Sequence, residues 1–114
     1  MAGALQIYGL AHCSTCQKAQ AELEAAGWQV TFRDVAKAPL DETEWQRLIA
    51  EFSDKLVNRA SLTWRAMSEQ ERAGTPLQML SAKPSLMKRP AIVQGDQRLL
   101  GWTANVKRAL GIAV

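Results

Sequence analysis

Cys13 and Cys16 are the chain's two thiols, set three residues apart in Gly9-Leu10-Ala11-His12-Cys13-Ser14-Thr15-Cys16-Gln17-Lys18. A thiol is a useful nucleophile when its thiolate is favoured near neutral pH. A helix N-terminus does this with its unpaired N–H groups and the positive end of its peptide dipoles. Cys16, Ala19, Leu23 and Ala26 recur at helical spacing, so a helix starts here with Cys16 on its apolar stripe. Cys13 then falls at or just before the first turn. The expected division of labour makes Cys13 the exposed attacking sulfur and Cys16 the partly buried resolving one. Each has a plainer alternative, the weaker case being Cys13, since nothing apolar surrounds it in sequence. Cys16 could simply fill a helix–sheet interface as a small apolar residue, and His12 could be a solvent-facing loop residue rather than a substrate contact. A metal centre is not expected, because two cysteines and one adjacent histidine fall short of the usual four ligands.

A thiolate, or an oxyanion under attack, calls for positive charge nearby. Lys18, Arg59, Arg65, Lys88 and Arg89 are candidates, although such residues are ordinarily solvated. Arg89 stands out because it immediately precedes Pro90 at the start of a strand, where the missing N–H of proline is tolerated. Of the four tryptophans, Trp28 and Trp45 fit buried faces. Trp64 and Trp102 lie in weaker patterns and could flank a groove or join the core.

The elements that must position these groups follow from periodicity. Leu5 and Ile7 alternate with Gln6 and Tyr8, a short strand ending near Gly9. The helix after it should begin at residues 13–15 and stop at Gly27, a natural C′ residue. Trp28, Val30 and Phe32 alternate with polar neighbours, giving a second strand and hence a βαβ unit with a parallel pair and a right-handed crossover. Asp41 and Glu44 form a capping box, Leu40 can staple to Trp45, and Trp45, Leu48, Ile49 and Phe52 make an amphipathic face. Short helical signals fill about 53–87: a capping box at Ser68–Glu71 closed by Gly74, then Thr75 capping a helix that begins with Pro76. Ala91-Ile92-Val93, the turn around Gly95 and Arg98-Leu99-Leu100 read as a hairpin. Thr103 can cap a last helix with Val106 and Leu110 inward. The order β-α-β-α, helical insertion, β-β-α around a mixed four-stranded sheet, with Cys-x-x-Cys at the first helix, is that of a thioredoxin-like α/β fold.

At 114 residues the expectation is a single domain, 1–114, with its helical insertion at about 53–87. Apolar content of 47% and charged content of 22% suit a globular protein. The net charge of +3 is too small and too scattered to suggest direct nucleic-acid binding, though it would favour thiolates and oxyanions. No apolar run reaches the roughly 18 residues of a membrane span, and the start lacks the basic and apolar regions of a secretory signal. A cytoplasmic location is therefore expected. There a cysteine pair is more often catalytic, redox-sensing or metal-binding than a permanent staple.

Several blocks together resemble the ArsC/Spx/YffB family. They are Ile7-Tyr8-Gly9 with Cys13-Ser14-Thr15-Cys16-Gln17-Lys18-Ala19, Leu56-Val57-Asn58-Arg59 with Thr63-Trp64-Arg65, Lys83 to Pro90, and Leu100-Gly101-Trp102. The resemblance is nearest to YffB-like proteins, which share the Leu-x-Asn-x-x-x-x-Thr-Trp-Arg block. It implies a thioredoxin-like fold with a helical insertion, Cys13 as nucleophile, and Arg89 beside the thiolate or bound oxyanion, with Pro90 in the cis form. Asn58, Arg59 and Arg65 become candidate substrate-binding residues with His12 and Pro90. A third arginine of true arsenate reductases would fall near Gly101-Trp102 and is missing. The implied activity is thiol-dependent reduction of a disulfide, a glutathionyl adduct or an oxyanion such as arsenate. No bound cofactor is implied; glutathione would be co-substrate, glutaredoxin a candidate partner, and the protein a monomer. The alternative reading is an Spx-like redox regulator that binds the C-terminal domain of the RNA polymerase α subunit. The Cys-x-x-Cys pair suits it, whereas the middle block is YffB-like.

Overall fold

The computed structural model describes residues 3–114. The chain divides into two compact units, one made of the described residues up to Asp34 together with Arg89–Val114, the other of Val35–Lys88.

The first unit is built on a four-stranded sheet in which Ala4–Gly9 lies between Gln29–Asp34 and Ala91–Gln94, with Gln97–Leu100 beside Ala91–Gln94 at the other edge. β1 (Ala4–Gly9) buries Leu5 and Ile7 and leaves Gln6 and Tyr8 half-covered, as its alternation requires. It pairs in parallel with β2 (Gln29–Asp34), Ile7 opposite Phe32 and Gly9 opposite Asp34. Between them runs α1 (Ser14–Ala25), which buries Cys16, Ala19 and Leu23. It ends through Ala26 and Gly27, whose φ of +94° is the left-handed geometry that glycine adopts without strain. β3 (Ala91–Gln94) lies antiparallel to β1, and β4 (Gln97–Leu100) returns as its hairpin partner. α6 (Ala104–Ala109) is capped by the Thr103 hydroxyl, which accepts from the N–H of Val106 at 3.3 Å.

Leu5, Ile7, Ala19, Leu23, Ile92, Val106 and Leu110 form the core of this unit, with Trp28, Val30, Phe32, Leu99 and Trp102 packed against it. Two tryptophans satisfy their indole N–H while doing so. Trp28 Nε1 donates to the carbonyl of Leu110 at 3.1 Å, and Trp102 Nε1 donates to Glu22 Oε2 at 2.8 Å. Trp28 is half-covered rather than fully buried, because that polar tip reaches the helix end.

The second unit holds the helices between β2 and β3. α2 (Glu42–Phe52) starts on the expected capping box. Asp41 Oδ1 accepts from the N–H of Glu44 at 2.8 Å, and Glu44 Oε1 accepts from the N–H of Asp41 at 3.0 Å. Leu40, Trp45 and Leu48 are buried. After a 3₁₀ turn at Ser53–Leu56 come α3 (Leu62–Ala66), α4 (Glu69–Arg72) and α5 (Pro76–Ala82), each opened by a hydroxyl cap: Ser61, Ser68 and Thr75. The expected insertion at about 53–87 lies inside this unit. The unit itself begins earlier, at Val35, because α2 packs on α5 and on the 3₁₀ turn. Near its end the chain is stitched by the Val57–Met87 bridge and by Lys88 N–H donating to the Leu56 carbonyl at 2.7 Å.

Candidate active site

The β1–α1 turn is held on both sides. The N–H of Ala11 donates to Asp34 Oδ2 at 2.9 Å, and Gln17 Nε2 donates to the carbonyl of Ala11 at 2.8 Å. One contact ties the turn to the end of β2 and the other to α1. A further hydrogen bond, Cys13 N–H to the Leu10 carbonyl at 3.0 Å, closes the turn. Cys13 is thereby fixed as the N-cap of α1, in extended conformation (φ −79°, ψ 118°).

The site's electrostatics separate the two thiols. Partial burial works to raise the Cys13 pKa. It is outweighed by the N–H of Cys16, by a hydrogen bond from the Cys16 thiol, and by the hydrogen bond and charge of Arg89, so the net shift is downward. Sulfur is a poor cap: its approach to the Cys16 N–H falls short of a regular capping bond yet still favours the thiolate. Cys16 goes the other way. Burial, helped by the neighbouring Cys13 sulfur, pushes it up to about 12 against the opposing Leu10 N–H and Arg89. Both cysteines are free thiols. Cys13, expected to be exposed, is half-buried, and Cys16, expected to be partly buried, is wholly buried.

Arg89 comes to Cys13 from the far end of the sequence, across the cis Arg89-Pro90 bond. Pro90 is buried, and its carbonyl accepts from the N–H of Gly101 at 2.8 Å, which fastens the entry of β3 to the end of β4. The Nε of Arg89 is shut off from solvent. A half-buried guanidinium beside a thiol both favours the thiolate and can hold an anionic group under attack. His12 is exposed on the turn.

Asn58, Arg59 and Arg65 belong to the second unit. Asn58 Oδ1 accepts from the N–H of Ala60 at 3.0 Å, an Asx turn that occupies it locally. Arg59 is exposed and stacks over Trp64 at 5.3 Å from the ring centroid. Arg72 stacks on the same indole at 5.1 Å while its Nε and Nη2 donate to the Trp64 carbonyl at 3.1 and 2.8 Å. Trp64 is thus an arginine platform. Arg65 is exposed, with its carbonyl accepting from Arg72 Nη2 at 3.3 Å. A pocket of about 230 Å³ in this unit is lined by Met67, Gly74, Met79, Ala82 and the ends of Glu71 and Lys83, which pair at 3.5 Å.

Sequence reasoning missed Asp34, Gln17 and Gly9. Asp34 closes a strand pattern and Gln17 sits on an exposed helix face, so nothing in periodicity marks either as a clamp. Gly9 lies at the end of β1 against Cys16, a contact no local pattern reveals. Among the described residues no cluster of His, Cys, Asp or Glu could hold a metal ion, and no helix is long and apolar enough to cross a membrane.

The sheet order, the helix-capping cysteine and the cis proline preceded by arginine define a thioredoxin-like protein that carries a helical unit between its second and third strands. Within that class the chain belongs to the ArsC family, which it matches over residues 8–110. It is 32% identical over 103 residues to an uncharacterised protein of Haemophilus influenzae, covering 86% of this chain and 90% of that one. A solved YffB protein superposes with a TM-score of 0.85 at 27% identity, covering 93% of this chain and 97% of its own. An ArsC-related protein from Brucella melitensis superposes with a TM-score of 0.74 at 31% identity, covering 93% and 92%.

Proposed function

We propose that the protein is a thiol-dependent reductase in which the Cys13 thiolate attacks the sulfur of a disulfide or glutathionyl adduct. The observation that carries this reading is the Cys13 thiol itself, held at a helix N-cap beside Arg89 with its pKa drawn down. In the first step Cys13 bonds to one sulfur of R–S–S–R′, and R′ leaves as thiolate. In the second, Cys16 gives up its proton, attacks Cys13 Sγ and expels R–S⁻. The substrate gains two electrons and the cysteine pair loses them. Two molecules of glutathione then restore the dithiol and depart as glutathione disulfide. Capping Cys13 removes its negative charge and its hydrogen bond, both of which hold Cys16 protonated. The buried thiol therefore ionises more readily once it is needed. Glutathione can also resolve the first adduct directly.

An oxyanion such as arsenate fits less well. The resemblance puts a third arginine just after β4, where this chain has Gly101 and Trp102, and the Trp102 indole is engaged with Glu22. Arsenate turnover with glutathione and glutaredoxin is expected to be weak beside disulfide reduction. A reducing compartment such as the cytoplasm suits this cycle. The test is reduction of a glutathione-linked disulfide by wild type, Cys13→Ser and Cys16→Ser, with mass spectrometry after glutathione disulfide treatment. Cys13→Ser should abolish turnover and all adducts. Cys16→Ser should accumulate the Cys13 adduct. Undiminished turnover in Cys13→Ser would sink the proposal. Redox-dependent capture of the RNA polymerase α subunit, with no turnover, would replace it with the regulator reading.

A further inference from the structure

Along β1 the residues that face α1 are Leu5, Ile7 and Gly9: two large side chains, then none. Gly9 is absent from the glycines with positive φ, so its backbone conformation does not demand glycine. Space does. A Cβ added there would stand 2.5 Å from Cys16 Sγ, 3.3 Å from Cys16 Cβ and 3.4 Å from Phe32 Cζ. The bare α-carbon of Gly9 is one wall of the seat in which the Cys16 sulfur lies.

We propose that Gly9 is a positioning residue that seats the Cys16 sulfur against Cys13, and so makes Cys16, rather than an outside thiol, the group that resolves the Cys13 adduct. This rests on the reductase reading above. Intramolecular attack needs Cys16 Sγ in line with the bond between Cys13 and the departing thiol. Any side chain at position 9 would drive the sulfur out of that line or force α1 off the sheet. The chemistry is the second step already given: Cys16 loses a proton to solvent, the Cys16–Cys13 bond forms, and R–S⁻ leaves with the electron pair of the broken bond.

The experiment compares wild type, Gly9→Ala, Cys16→Ala and the double variant. After a pulse of glutathione disulfide, Gly9→Ala should close the internal disulfide roughly 10- to 100-fold more slowly, the loss that a misplacement of about 1 Å produces. The Cys13 glutathione adduct should accumulate instead. The pH profile of Cys13 alkylation should move up towards that of Cys16→Ala, because the displaced thiol no longer hydrogen-bonds Cys13. A side chain that merely weakened packing would leave that profile in place. The two substitutions should be non-additive in urea denaturation, with removal of the sulfur relieving the strain introduced at position 9. If Gly9→Ala does not fold alone, recovery of folding in the double variant carries the same result. A Gly9→Ala protein that closes the disulfide at the wild-type rate and keeps the wild-type alkylation profile overturns the proposal. A wild-type Cys13 that forms no adduct overturns the reductase reading instead, and the alkylation profile and the stability cycle still report on Gly9.

Discussion

At the scale of single residues, Arg89 is the group whose removal should be most legible in a measurement. Its hydrogen bond and its charge both lower the Cys13 pKa. Arg89→Ala should move the inflection of the Cys13 alkylation rate to higher pH, because an opposite charge within contact distance favours the thiolate. Arg89→Lys should recover part of that shift, because it restores the charge but not the planar fork of donors. An inflection that stays put in Arg89→Ala would remove Arg89 from the thiol's environment. The sequence pointed to this residue through its place before a proline at a strand start and through the family resemblance, not through any local pattern shared with Cys13. Distance along the chain hides such pairs, since 76 positions separate Cys13 from Arg89. Gly9 was hidden for another reason. A glycine required by a turn announces itself through its neighbours, whereas one required by a sulfur on the next helix does not.

At the scale of elements, the pattern was clearest where local chemistry decides the structure. The strand alternation at Leu5 and Ile7, the capping boxes at Asp41 and Thr75 and the glycine turn of the last hairpin need only residues close in sequence. The Ala11 clamp was illegible, because its partners come from β2 and from a polar face of α1. α1 is also the helix that gives up stability for its chemistry. α2 to α6 all begin on a hydroxyl or carboxylate that accepts a hydrogen bond, and α1 begins on Cys13 with no such bond. Cys13→Asp places a true capping oxygen there, with its negative charge at the helix start and beside Arg89. It should raise stability in urea denaturation at pH 7 by roughly 0.5–2 kcal/mol, the range of a good N-cap. It should also abolish adduct formation. A Cys13→Asp protein no more stable than wild type would mean that the turn cannot bring the oxygen to the N–H groups of α1.

At the scale of the whole molecule, the opposed shifts of the two thiols tie folding to pH in a way that neither residue shows alone. In the unfolded chain both titrate near the ordinary value of 9.0. Cys13 is depressed in the folded protein, so its contribution to stability is complete above about 9 and is lost as pH falls through its lowered folded value. Cys16 is raised to about 12, so its contribution is complete below about 9 and is lost as pH climbs towards 12. The reduced pair therefore stabilises the fold most near pH 9, with a rising limb that belongs to Cys13 and a falling limb that belongs to Cys16. Each limb can be as steep as about 1.4 kcal/mol per pH unit, the value for one proton. Other groups titrate in the same range, so the quantity to follow is the difference between wild type and variant across the pH series, measured by urea denaturation under reducing conditions. Cys16→Ala should flatten the falling limb and shorten the rising one, because its thiol also supports the Cys13 thiolate. Cys13→Ala should remove the rising limb and leave a falling one of lower midpoint, since the Cys13 sulfur helps hold Cys16 protonated. Differences that are constant with pH in both variants would mean that the two thiols titrate alike in the folded and unfolded chain. The unequal roles assigned to Cys13 and Cys16 would then have no electrostatic basis.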